Sequence, residues 1–231
     1  MKKPKLVNDQ IYHIYNRGVE KRDVFLEDND YLRFIHDLYE FNDKMSAENI
    51  YYRKLYEVGP HKIRKERTER KLLIEIMAFC LMPNHFHLLV RQKCDNGISK
   101  FIQKLSTGYS MYFNQKYDRV GPLFQGKFKA VLVNEESHFI HLPFYIHLNP
   151  LDLIAPEWRD REIKNYQKTL EFLDSYRWSS YLDYIGKKNF PSVTQRDFLF
   201  SFFDGKEGYK NQMENWLREF NISNLEELLL E

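Results

Sequence analysis

Polar and apolar positions alternate from Gln10 to Tyr15 (QIYHIY), which predicts a strand running into a turn at Asn16-Arg17-Gly18. From Asp28 to Phe41, capping residues precede Leu32, Ile35, Leu38 and Tyr39 at helical spacing, so a helix is expected there. The chain is then polar and strongly charged to about Leu72, ending in KIRKERTERK at 62–71. This stretch reads as an insertion, a solvated helix or a long loop. Leu73 to Leu81 is a β-like apolar run and His85 to Arg91 (HFHLLVR) a second one. Met82-Pro83-Asn84 between them predicts a hairpin. Ile98 to Tyr117 places Ile98, Phe101, Ile102, Leu105, Tyr109, Tyr112 and Phe113 on one helical face. Phe128 to Val133 predicts a third post-helix strand, and Glu135 to Asn149 a helix stopped by Pro150, with Pro143 expected to kink or restart it. Further helical stretches are expected near 161–174, 194–203 and 208–220.

Strands interleaved with helices, partly as a hairpin, predict an α+β fold: an antiparallel sheet with helices packed on one face. The 231 residues suffice for one sizeable domain or one with appendages, and 43% hydrophobic against 29% charged residues excludes global disorder. A formal net charge of +2 is too mild to announce a nucleic-acid partner, so such a case must rest on where the basic residues sit. Cys80 and Cys94 offer no zinc-type cysteine pair and fit a reducing compartment. The first residues (MKKPKLVNDQ) have charge without an apolar stretch behind it, and no apolar run reaches the length of a membrane span. A cytoplasmic protein without a membrane partner is therefore expected.

His85-Phe86-His87 is histidine, hydrophobe, histidine within a strand. Side chains alternate along a strand, so both imidazoles share one face and can hold one divalent cation. Alone the pattern is weak, since a chain with 8 histidines in 231 residues yields about 0.3 such pairs by chance. Tyr145 and Asn149 stand four positions apart in YIHLNP, so a helix presents both on one face, with His141 one turn earlier. Asn149 can offer an amide oxygen to a metal while Tyr145 presents a phenol beside it. Two imidazoles, a neutral oxygen and open positions suit Mg²⁺ or Mn²⁺, the imidazoles tilting the preference to Mn²⁺. No cysteine or carboxylate stands close in sequence to close a zinc site.

Taken together, YHIYNRGVEKRDVF (12–25), MPNHFHLLV (82–90), YFN (112–114), GPLFQGKFK (121–129), YIHLNP (145–150) and WSSY (178–181) resemble the HUH endonucleases, specifically the REP-associated tyrosine transposases. These are relatives of the single-tyrosine transposases of the smallest bacterial insertion sequences. The resemblance implies a ferredoxin-like HUH core over residues 1–181 with a charged insertion at about 43–72, followed by a helical extension at 182–231. It implies His85 and His87 as metal ligands, Asn149 as the third protein ligand and Tyr145 as the nucleophile. The implied reaction is nicking and rejoining of single-stranded or hairpin DNA through a 5′-phosphotyrosine. Arg17, Lys21, Arg22, Arg91, Lys100, Lys104, Lys127 and Lys129 flank the motifs as candidate DNA contacts, and the segment 62–71 is expected beside the nucleic acid. The chain departs from the family pattern at Pro143, at Phe144 and at Asp152, the last two standing where basic residues are common. A monomer or homodimer is expected. The rival readings are a replication initiator or relaxase with the same chemistry, a metal-dependent phosphoesterase without need of Tyr145, and a domesticated nucleic-acid binder.

Overall fold

Pro83 and Asn84 alone separate the two strands of the hairpin, because Met82 and His85 already pair with each other. In the computed structural model, which describes residues 4–45, 70–160 and 163–219, this hairpin is half of one antiparallel sheet. Its strands are β1 (Ile11–Arg17), β2 (Ile74–Met82), β3 (His85–Gln92) and β4 (Lys129–Val133), in the order β2-β3-β1-β4. The helices among the described residues are α1 (Asp28–Glu40), α2 (Gly97–Lys116), α3 (Glu136–Leu148), α4 (Tyr166–Ser175), α5 (Tyr181–Tyr184), α6 (Asp197–Phe200) and α7 (Gly205–Glu219).

Helices cover both faces of the sheet, where the sequence suggested one. Tyr12, Ile14, Phe86, Leu88 and Val90 bury themselves against α1 and α2 through Phe34, Leu38, Phe101, Leu105 and Tyr109. On the opposite face, Ile11 and Leu89 pack with Leu142, Ile146 and Leu148 of α3 and with Tyr209, Met213 and Leu217 of α7. The physical reason lies in the strands, whose side chains are buried on both sides over nearly their whole length. An irregularity between Ile76 and Ala78 helps. It switches the phase of β2, so Ile74 and Ile76 face the first layer with Phe79 and Leu81, while Met77, Ala78, Cys80 and Met82 face the second.

Several motif segments serve as sheet closures. The WSSY segment extends the edge of β2: Leu81 N–H donates to Trp178 O (2.9 Å) and Ser180 N–H to Phe79 O (3.0 Å). Gly18 bridges to Phe124, and a Cβ on it would lie 2.2 Å from the Arg22 carbonyl, so only glycine fits that turn. Asp30 in the first turn of α1 accepts from Lys116 Nζ (2.6 Å), Tyr117 Oη (2.7 Å) and Tyr112 Oη (3.0 Å), tying α1 to α2. Of the charged segment 62–71, all but Arg70 and Lys71 lies outside the described residues. Arg70 sits 3.7 Å over the Tyr39 ring and donates to the carbonyls of Tyr39 and Asn42, closing the end of α1.

Helix α3 runs through Pro143 without a break. Leu142, Phe144, Tyr145, Ile146, His147 and Leu148 are all buried, which is the pattern of a helix enclosed on every side. His147 is its polar anchor, bonded at Nδ1 to Tyr209 Oη (2.6 Å) and at Nε2 to Ser180 Oγ (2.7 Å). Burial lowers its pKa to about 3, so the ring is neutral in the fold. A base whose pKa falls on folding takes up its proton in the unfolded chain first. Stability from this site is therefore complete above the unfolded value near 6.5 and declines as pH falls toward 3. At pH 4.5 the loss should reach ~2–3 kcal/mol, and His147→Gln should flatten that slope in urea titrations between pH 7 and 4.5. An identical slope in both proteins would show that His147 does not set it.

Candidate active site

The register of β1 against β3 pairs Tyr15 with His87 and Arg17 with His85, so all four side chains stand on the face covered by α3. The His85 and His87 rings lie 4.9 Å apart, nearly perpendicular, both within the protein at 8% and 0% exposure. Each ring is oriented through Nδ1. His85 Nδ1 donates to Asn84 Oδ1 (2.5 Å), and His87 Nδ1 is bonded to His13 Nε2 (3.0 Å). With Nδ1 committed on both, Nε2 is the nitrogen through which either ring would hold a cation. His13 is buried, stacks on His87 at 5.2 Å and shares its environment with Tyr15, whose ring lies 5.1 Å away.

Tyr145 reaches this face from α3. Its ring meets His87 edge-on at 6.2 Å, although the two are far apart in sequence. Asn149 caps the same helix: its Nδ2 donates to the Tyr145 carbonyl (2.9 Å). Beyond the cap the chain turns through two short helical turns, Asn149–Leu153 and Pro156–Asp160, and returns Arg159 to the phenol. Arg159 Nη1 donates to Tyr145 Oη (2.9 Å), and Nη2 to Asn149 Oδ1 (3.2 Å). Asp152 fixes the guanidinium as a fork, accepting from Nε (3.0 Å) on one oxygen and from Nη2 (2.7 Å) on the other. Trp158 Nε1 also donates to Asp152 (2.7 Å). Burial opposes the charge of Arg159, yet its bonds to Asp152 and Tyr145 outweigh this and raise its pKa.

His85, His87 and Tyr145 thus meet between the sheet and α3, while Asn149 lies at the end of that helix, bonded to the Tyr145 carbonyl and to Arg159. His141 is elsewhere: it stacks on Trp216 at 5.7 Å, and burial followed by the charge of His138 lowers its pKa. The basic residues divide into two groups. Arg17 stands opposite His85, Lys129 opposite Tyr15, the Lys21 carbonyl accepts from Asn84, and Arg22 closes the same turn, with Lys127 exposed nearby in the loop before β4. Arg91 lies at the other end of β3, paired with Glu75 (3.0 Å) and 4.1 Å over Phe198. Lys104 is held by the carbonyls of Asp43 and Met45, and Lys100 sits near Cys94 and Lys93 at that far end. Two residues of the site, His13 and Arg159, escaped sequence reasoning, and Asp152 stood out only as a departure from the family pattern. His13 carries the signal of strand alternation, but only register reveals that it meets His87. Arg159 and Asp152 lie in irregular turns with no periodicity to mark them.

Among the described residues no group of three or more His, Cys, Asp or Glu side chains could hold a metal ion. His85 and His87 offer two imidazoles on one face, to which neutral or substrate oxygens could add. That donor set fits a cation with open positions. His13→Leu should cost about 1–3 kcal/mol in urea unfolding, because a buried nitrogen of His87 loses its His13 partner. His13→Gln should recover part of this, and an unchanged midpoint in His13→Leu would contradict the pairing.

The comparisons with known proteins point the same way. Residues 56–149, which span β2 to the cap of α3, match the family model described as IS200-like transposase. No curated protein matches the chain. Among solved structures it is similar to a REP-associated tyrosine transposase bound to a REP hairpin, with a TM-score of 0.50 at 13% identity, over 85% of this chain and 92% of that one. No helix among the described residues is long and apolar enough to cross a membrane. The chain thus matches the IS200-like transposase model over residues 56–149 and has the fold of a REP-associated tyrosine transposase.

Proposed function

We propose that this chain nicks and rejoins single-stranded DNA beside a hairpin, using Tyr145 as nucleophile and a divalent cation held by His85 and His87. The observation that carries this reading is the convergence of Tyr145, delivered by α3, with the His85–His87 pair on one sheet face. The solved relative was captured on a REP hairpin, which supports a hairpin as the partner here.

The phenol of a free tyrosine ionises near pH 10, so attack on a phosphodiester at neutral pH needs charge stabilisation at the oxygen and at the phosphate. Mg²⁺ or Mn²⁺ at His85 and His87 Nε2, with Asn149 Oδ1 as a further ligand, would supply Lewis-acid stabilisation of the phosphate oxygens. Asn84 and His13 orient the two imidazoles. The Asn149 cap holds the end of α3, so Tyr145 keeps one direction toward the sheet. Arg17, Lys21, Arg22, Lys127 and Lys129 gather at the His85 end and would receive the DNA backbone there. Arg91, Lys100 and Lys104 are occupied or remote, and the DNA reading rests on the first five.

The test is a denaturing gel of the protein mixed with a hairpin carrying a single-stranded flank, in Mn²⁺. A slow-migrating covalent adduct is expected with wild type, lost in EDTA and in His87→Ala. Tyr145→Phe should lower cleavage by at least roughly 10³-fold while hairpin affinity stays within a few-fold, since one oxygen is removed. An adduct that survives in Tyr145→Phe would move the nucleophile elsewhere. Cleavage without any adduct would select a phosphoesterase, and hairpin binding without cleavage would select a domesticated binder.

A further inference from the structure

Helix α3 delivers Tyr145 to the sheet, and there its phenol accepts from a guanidinium. Arg159 donates to Tyr145 Oη (2.9 Å) and to Asn149 Oδ1 (3.2 Å), and its remaining edge is locked onto both oxygens of Asp152. We infer that Arg159, held by Asp152, is a further catalytic group of this enzyme: the cation that carries the charge of Tyr145 Oη in cleavage and again in rejoining. This rests on the reading of Tyr145 as the nucleophile and adds a residue to it.

Three observations support the assignment. The first is geometry. The guanidinium carbon lies 5.1 Å from the centre of the Tyr145 ring and 4.9 Å from that of Trp158, so the fork is sandwiched among aromatic faces and cannot swing freely. The second is access. Tyr145 is 1% exposed, whereas the side chains of Arg159 and Asp152 are 26% and 27% exposed, so this pair forms the solvent side of the phenol's surroundings. A phosphate approaching Oη from that side meets Arg159 first, and a guanidinium pairs with phosphate oxygens as readily as with a carboxylate. The third concerns charge placement. Asp152 introduces an acid two residues after Pro150, directly beside the site, where it would repel a phosphate. Arg159 neutralises it, so the pair presents donors rather than a negative charge.

The chemistry balances with these groups. In cleavage, Tyr145 Oη forms a bond to phosphorus as the bond from phosphorus to the 3′ oxygen breaks. The phenol gives up a proton and the departing 3′ oxygen gains one. Rejoining is the reverse: a 3′-hydroxyl attacks, and Oη leaves as the charged group. A donor fixed on Oη acts in both directions, whereas a group serving only the 3′ oxygen would not stabilise Oη in either.

The experiment compares Arg159→Gln, Arg159→Lys and Arg159→Ala with Tyr145→Phe on a flanked hairpin in Mn²⁺. It follows adduct formation and, separately, resealing of a preformed adduct by an added 3′-hydroxyl strand. Arg159→Gln should slow both steps by about 100-fold, the usual cost of removing one preorganised donor to a developing oxyanion. Arg159→Lys should retain part of the rate. Millimolar guanidinium chloride should restore part of it to Arg159→Ala, a rescue that a residue needed only for folding would not give. Should a lone substitution leave Asp152 uncompensated and lower the melting temperature, the paired change Asp152→Asn with Arg159→Gln removes both charges and reads the same rates in a folded protein. Wild-type rates in Arg159→Gln or in the paired variant, with Tyr145→Phe inactive, would overturn the inference. Continued cleavage by Tyr145→Phe would overturn the reading on which it rests.

Discussion

The pairing of β1 with β3 sets His85 and His87 on a sheet face that α3 and the C-terminal helices seal from solvent. A polar group there cannot rely on water. It must find its partner in the protein, because an unsatisfied buried nitrogen or oxygen costs about 1–3 kcal/mol. The polar groups of this layer are accordingly linked: His13 with His87, Asn84 with His85, Asn149 with the Tyr145 carbonyl, Arg159 with Tyr145, Asn149 and Asp152, and His147 with Ser180 and Tyr209.

That constraint also explains the two unlike faces of one sheet. The face under α1 and α2 is apolar, with Tyr12, Ile14, Phe86, Leu88 and Val90, and supplies stability. The other face carries histidines and tyrosines among smaller residues such as Ala78 and Cys80. Residues beyond 181 contribute Tyr184, Tyr209, Met213 and Leu217 to this second layer, and Tyr209 bonds directly to the helix that carries Tyr145. The positioning of the phenol therefore depends on chain more than sixty residues further on.

Much of this was legible in the sequence. Alternation in HFHLLVR correctly separated His85 and His87 from Phe86, and the YIHLNP spacing placed Tyr145 and Asn149 on adjacent turns. What alternation cannot show is register. His13 meets His87 only because β1 pairs antiparallel with β3 in one alignment, and helices cover both faces because the strands are buried on both sides, with the irregularity at Met77 shifting the phase of β2. Pro143 is expected to kink or restart α3, and the helix runs through it unbroken, its neighbours packed on all sides against the one lost hydrogen bond. Arg159 had no local signature. Its significance comes from a turn at Pro150 that folds the chain back onto Tyr145, and from Asp152, a departure from the family pattern that finds its counter-charge seven residues later. The basic residues were the least legible group, because burial and partners, not proximity to a motif, decide which of them remain available.

With Tyr145 as the nucleophile, the α3-covered face of the sheet would be where this protein joins itself to DNA. Mass spectrometry of a trapped adduct measures that directly. Trypsin cleavage after Lys129 and Arg159 releases residues 130–159, a peptide whose single tyrosine is Tyr145. After nuclease trimming, a nucleotide phosphate is expected on this peptide, attached at Tyr145. A nucleotide on a peptide bearing any other of the 16 tyrosines, with 130–159 unmodified, would contradict it.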